Sequence, residues 1–146
     1  MHPDMVTGRA ADPASSRLSV RSCSWHAGGM ERVLGIGGYF LRAADPDGLS
    51  AWYRECLGLD VDAHGLWQPD AGPTVFAAFG ADTDYFGSRS QQTMLNFRVR
   101  DLDAMLAQLR SLGADVDAEV QDMAGVGRFG WVTDPAGNRI ELWQPA

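Results

Sequence analysis

Leu57-Gly58-Leu59-Asp60-Val61-Asp62-Ala63 returns 55 residues later as Leu112-Gly113-Ala114-Asp115-Val116-Asp117-Ala118. Only the third position differs. Seven nearly identical residues at a fixed offset point to two copies of one supersecondary unit. A repeat of that kind settles the architecture before any single element does.

Around each copy the same order of elements can be read. Residues 33–43 (VLGIGGYFLRA) are apolar and β-prone and read as a strand. Asp45-Pro46-Asp47 supplies helix-start chemistry, and Leu49, Trp52, Tyr53 and Leu57 then recur at helical spacing until Gly58 stops the helix. Short strands are expected from Asp60 on, with turns at Gly65 and Pro69-Asp70-Ala71-Gly72, and residues 74–79 form the last strand of the unit. In residues 93–99, Leu95, Phe97 and Val99 alternate with Met94, Asn96 and Arg98. Asp101 and Asp103 open a second helix, striped by Leu102, Met105, Leu106 and Leu109, and Gly113 ends it. Strands follow near 116–120, 128–133 and 139–143, the last two joined by Asp134-Pro135-Ala136-Gly137-Asn138. Each unit is β-α-β-β-β, the first about 31–87 and the second about 93–145, within a single domain over 30–146. The expected class is α+β: a curved mixed sheet around a concave cavity, with the helices outside.

Composition narrows the function. The 146-residue chain is 45% hydrophobic and 21% charged, with a net charge of -7, so nucleic acid and an anionic membrane are not expected partners. No apolar run approaches the length of a membrane span. Cys23 and Cys56 cannot make a disulfide framework and read as reduced thiols of a cytoplasmic protein. All 12 basic residues are Arg, which excludes a Schiff-base lysine and a phosphate-binding P-loop lysine. The first 29 residues are rich in Ser, Ala, Gly and Arg and lack apolar periodicity; they read as a disordered extension, with Met30 as a candidate initiator. Gly35-x-Gly37-Gly38 lies inside a strand and opens no helix, so it is no dinucleotide fingerprint.

Two stretches resemble a known family. Ala51-Trp52-Tyr53-Arg54-Glu55-Cys56-Leu57-Gly58-Leu59 is similar to the "FYxxxLGL" element of the vicinal oxygen chelate superfamily, and Asp134-Pro135-Ala136-Gly137-Asn138-Arg139-Ile140-Glu141-Leu142-Trp143 to its "DPxGNxIEL" signature. That superfamily includes glyoxalase I, extradiol dioxygenases, fosfomycin-resistance enzymes and bleomycin-binding proteins. Arg128-Phe129-Gly130-Trp131 resembles a segment of its glyoxalase-like, uncharacterised branch. The resemblance implies the paired-unit fold but leaves the chemistry open, because many activities share the scaffold.

Metal-dependent members draw His or Glu ligands from the first, fourth, fifth and eighth strands. Carried over, the eighth-strand carboxylate is Glu141, the first-strand position falls at Gly38 and the fifth at Met94, within a residue; residues 74–79 offer no ligand. Of three histidines, His2 and His26 lie in the first 29 residues, leaving His64 alone in the patterned chain. A chelate needs three or four convergent ligands, so no cofactor is expected, and a divalent metal on unorthodox ligands around Glu141 and His64 ranks last.

Strand alternation puts Glu141 with Arg139 and Trp143 on one face, and Ile140 and Leu142 toward the helices. The same alternation puts Asn96, Arg98, Phe40 and Arg42 on the cavity face. Two roles for Glu141 are open: a buried salt bridge with Arg98 or Arg42, and a general acid/base or polar anchor for a ligand. Trp67, Phe76, Phe79, Tyr85, Phe86, Phe129, Trp131 and Trp143 lie on or beside expected strands, enough to line an apolar pocket as well as a core. Residues 82–87 read either as a rim or lid or as a plain connector, and Arg128 either as a fork for an anionic group or as a strand-end charge. The ligand set expected is Phe40, Arg42, Trp67, Phe79, Tyr85, Asn96, Arg98, Arg128, Trp131 and Trp143. The first functional expectation is a metal-independent protein binding a small aromatic or amphipathic ligand between the units. The second is a lyase or isomerase using Glu141 as acid/base. Many relatives pair as homodimers, and a homodimer is possible for this chain.

Overall fold

Both copies of the repeat begin where a helix ends. The computed structural model describes residues 31–146, and helix α1 spans Pro46–Leu57. Asp45 caps its start by accepting from the Gly48 amide at 3.0 Å, and Pro46 fills a position where no amide hydrogen is needed. Gly58 closes it in the left-handed region (φ 73), and the Gly58 and Leu59 amides return to the carbonyls of Arg54 and Tyr53. Helix α2, Leu102–Ser111, repeats the device: Asp101 accepts from the Ala104 amide at 3.0 Å, and Gly113 (φ 79) turns the chain out. The repeat is thus two helix stops, each with glycine where an L side chain would be strained.

The second half then builds the sheet. Strand β1 is Asn96–Arg98, β2 is Asp115–Val116, β3 is Gln121–Met123, β4 is Gly127–Thr133 and β5 is Arg139–Pro145. Their order is β1-β5-β4-β2, with β3 also on β4. β1 runs parallel to β5, pairing Asn96 with Glu141, and the other pairs are antiparallel, so the sheet is mixed; it is curved and unclosed. β4 and β5 form a hairpin across Asp134–Asn138, where the Asp134 carboxylate accepts the amides of Ala136 and Asn138, both at 2.9 Å.

Both helices lie on one face of this sheet. Leu49, Tyr53, Cys56 and Leu57 of α1 join Leu102, Leu106 and Leu109 of α2, and Val132, Ile140 and Leu142 of the sheet, in one core; Leu95, Phe97 and Val99 pack against it. The expected alternation therefore holds for β1 and β5. Gly130 permits the close approach of α2, since a Cβ there would lie 3.2 Å from both Leu106 methyls. Tyr53 also donates its hydroxyl to the buried Asp134 at 2.7 Å, joining the first motif to the second across 81 residues.

The first half departs from expectation. Residues 33–43 and 74–79 carry no strand, and the first copy of the repeat yields only a bridge between Val61 and Trp67. A strand exists by virtue of a hydrogen-bonded neighbour, and Gly35, Gly37 and Gly38 weaken the first candidate further. Phe76, on the second, is 94% exposed. The chain divides into two units between Tyr39 and Phe40. In the first, residues 31–39 contain neither helix nor strand; in the second lie all the elements above. The extension expected over residues 1–29 lies outside the described residues, with Cys23, His2 and His26. Among the described residues, no helix is long and apolar enough to cross a membrane.

Candidate functional site

The face of the sheet away from the helices carries Phe129, Trp131, Glu141 and Trp143, the odd-numbered residues of β4 and β5. All four are buried, Glu141 to 3% exposure. A carboxylate removed from water to that degree needs donors. Asn96, its register partner on β1, donates from Nδ2 to Oε1 at 2.7 Å, and Trp131 donates from Nε1 to Oε2 at 3.1 Å. Tyr85 donates its hydroxyl to the same Oε2.

Tyr85 comes from the connector between the halves, not from the sheet. Its ring stacks on Phe79 (5.4 Å between centroids, 9° between planes) and meets Trp131 edge-on at 6.1 Å. Phe86 packs edge-on against Phe79 at 5.1 Å. The connector is tied down at its far end by Gln91, whose carboxamide accepts the Arg139 amide and donates to the Arg139 carbonyl, both at 2.8 Å. One side chain thereby does what a neighbouring strand would do for β5. A cleft of about 160 Å³ lies beside it, lined by Phe79, Thr83, Phe86, Arg89, Gln91 and Gln92 among others.

Electrostatics follow from this packing. Burial pushes the Glu141 carboxyl above its usual range, against the opposing pull of Tyr85, Asn96, Trp131 and the Arg139 charge. The Tyr85 phenol is likewise pushed up, by burial and then by donating to Glu141. Arg139 lies over the Trp131 ring at 5.0 Å, pairs with Asp117 at 2.6 Å, and keeps a buried Nε without a hydrogen-bond partner.

Glu141, Tyr85, Asn96, Trp131 and Phe79 come together from the expected set. Trp143 shares their face but turns elsewhere, stacking on Phe129 and donating to the Val126 carbonyl at 3.1 Å. The expected salt bridge from Glu141 to Arg98 or Arg42 is replaced by the three donors. Arg98 instead donates to the Asp70 carbonyl at 2.7 Å, and Arg42 is exposed. Phe40 is 96% exposed, and Trp67 packs on Phe97, which belongs to the helix side. Arg128 also falls on the helix side: it grips Asp103 of α2 with two bonds of 3.0 Å and Asp122 with one of 2.8 Å. That fork is filled by the two aspartates. The sequence reasoning missed Gln91, Asp117 and the bonding of Arg139; the i, i+2 spacing of Arg139 and Glu141 was the only available signal.

The donor set does not suit a metal ion. The Glu141 oxygens are already met by donated hydrogens from Tyr85, Asn96 and Trp131, which a cation would have to displace. His64 lies in the exposed turn at Asp62, and Met94 offers only a thioether. Among the described residues, no three His, Cys, Asp or Glu side chains converge.

A sheet of this topology, with its two motifs joined at Tyr53 and Asp134, defines a class. The chain belongs to the glyoxalase-like domain family of the vicinal oxygen chelate superfamily, whose model matches residues 38–143. Among solved structures it is similar to an antibiotic binding protein from Streptomyces sp. CB03234, at 26% identity over 80% of this chain and 100% of that one, with a TM-score of 0.54. A glyoxylase/bleomycin resistance protein/dioxygenase domain from Frankia sp. EAN1pec shares the fold, at 20% identity over 79% of this chain and 100% of that one, with a TM-score of 0.52. No curated protein matches the chain.

Proposed function

We propose that the chain is a small-molecule-binding protein of the glyoxalase/bleomycin-resistance type, working without a metal and taking an aromatic or amphipathic ligand on the Glu141 face of the sheet. The observation that carries this reading is the chemistry of that face. One carboxylate, its oxygens met by Asn96, Trp131 and Tyr85, is set among aromatic rings. Apolar walls with a few fixed polar groups are what a small-molecule site requires. The binding activity of the similar Streptomyces protein supports it.

A second reading, a lyase or isomerase with Glu141 as acid/base, is favoured by one feature: burial raises this carboxyl toward the range a general acid uses. Against it, both oxygens are engaged, and a substrate would first have to evict a donor. The binding reading extends to a cytoplasmic homodimer in which a second copy covers Val75 and Phe76 and lets residues 74–79 pair as the strand the duplicated βαβββ plan calls for.

A thermal-shift panel of fused-ring aromatic and amphipathic compounds tests the reading, since a ligand of the native state raises the midpoint. Several hits, with no zinc, nickel, manganese or iron in the purified protein by elemental analysis, are expected. Stoichiometric metal would overturn metal independence, and a panel without a hit would overturn binding. Sedimentation equilibrium decides the dimer.

A further inference from the structure

We infer that Tyr85 sits in the ligand's own place, and that the ligand is a phenol whose hydroxyl donates to Glu141 Oε2 as the tyrosine's does. The inference rests on the binding reading above and names the chemical class of its ligand.

The contacts of Tyr85 are those of a small aromatic guest. Its ring lies parallel to Phe79 at 5.4 Å and edge-on to Trp131 at 6.1 Å, and its hydroxyl ends on a buried carboxylate. It reaches that place from a segment without helix or strand, residues 80–92. The backbone bonds of that segment are local turns, Thr83 to Gly80, Gly87 to Asp84 and Gln91 to Ser88, which would travel with it. Among its anchors are the Gln91 carboxamide on Arg139 and the Phe86 ring on Phe79. In the inferred exchange the segment lifts as a piece, its local turns intact.

Space requires it to. The neighbouring cleft of about 160 Å³ is smaller than the roughly 300 Å³ at which small-molecule sites begin. Phe79 is a wall of both the cleft and the Tyr85 seat, so vacating the seat enlarges the same apolar space.

Chemistry then selects the guest. With Tyr85 lifted, Oε2 keeps only Trp131 Nε1, and a buried acceptor that loses a donor is costly. A hydrocarbon or an ether fills the volume and leaves that oxygen short. A cation would face the Arg139 guanidinium, which already lies 5.0 Å over the Trp131 ring. An aromatic hydroxyl satisfies the oxygen, the stack and the charge together.

The probe is p-cresol, the tyrosine side chain freed from its backbone, compared with its methyl ether and with toluene by calorimetry on the full chain. The wild-type protein is expected to prefer p-cresol to the ether by about tenfold or more, the size of a hydrogen bond to a charged acceptor. Tyr85→Ala, which empties the seat, is expected to bind p-cresol about tenfold more tightly than wild type, because no internal competitor remains. Tyr85→Phe keeps the ring but loosens the latch, and gains affinity even if the alanine variant folds poorly. Glu141→Gln is expected to narrow the preference for p-cresol over the ether. Equal binding of p-cresol and ether overturns the phenol assignment while leaving aromatic binding intact. Unchanged p-cresol affinity in both Tyr85 variants shows that the seat is not shared, and overturns the inference. Absence of binding by all three probes in every variant overturns it too, and the broader reading is then decided by its own panel of fused-ring compounds.

Discussion

Replacing Tyr85 with phenylalanine deletes one oxygen and leaves the ring in place. The stack on Phe79 and the edge contact with Trp131 persist, while Glu141 Oε2 is left with Trp131 Nε1 alone. A hydrogen bond to a charged acceptor contributes about 1.5–3 kcal/mol. Tyr85 is only partly buried, so water relieves some of the loss and the lower end, about 1.5–2 kcal/mol, is expected. In a chain of 146 residues that lowers the thermal midpoint by about 3–8 °C. Urea unfolding reads the loss as an earlier midpoint with an unchanged slope. A double-mutant cycle with Glu141→Gln then separates the contact from the rest of either side chain, and a coupling of at least about 1 kcal/mol is expected. A loss below about 0.5 kcal/mol, with no coupling, would refute the Tyr85–Glu141 bond and with it the capped site.

Three further outcomes follow from the packing. Because burial holds the folded-state carboxyl of Glu141 above its ordinary 4.5, its contribution is complete below that pH and is lost as pH rises through the raised value. Wild type should therefore lose stability relative to Glu141→Gln as pH climbs from about 4.5, and parallel stability curves would reverse the assignment. Tyr53→Phe removes a donor from the buried Asp134, which keeps its other three, and should cost about 1–2 kcal/mol in denaturant titration without altering p-cresol affinity. Leu106→Ala should cost about 2–5 kcal/mol, and Gly130→Ala, harmful alone, should be better tolerated in that background, because its new methyl enters space the leucine vacated.

The parts of this fold legible in sequence were those fixed by neighbours a few residues away. Asp45, Asp101, Gly58 and Gly113 cap helices through bonds to residues at most six positions off, and the turn at Asp134 closes on itself. The alternation of β1 and β5 was legible because one side of the sheet is covered by leucines. Glu141 could be assigned to its face for the same reason, but its partners could not. Tyr85 reaches it across 56 residues through an irregular connector, and no periodicity records where such a segment comes to rest. The partners of Arg98 and Arg128 were hidden similarly: an arginine fork donates to a backbone carbonyl as readily as to a carboxylate, and only geometry tells which is near. Residues 74–79 have the composition of a strand, but a strand also needs a partner edge.

The strand made last stands at the middle of the sheet. β5 lies between β1 and β4, supplies Ile140 and Leu142 to the core on one side, and holds Glu141 on the other. As the ribosome delivers the chain, α1, β1 and α2 emerge with their apolar stripes uncovered, and β4 finds only the short β2 and β3 to pair with. Before residue 139, β1 has side-chain contacts such as Phe97 with Tyr53 and Trp67, but no ladder partner in this sheet, because that partner is β5. The sheet can therefore close up only once residues 139–145 have been made. The Glu141 face and the core are completed by the same seven residues.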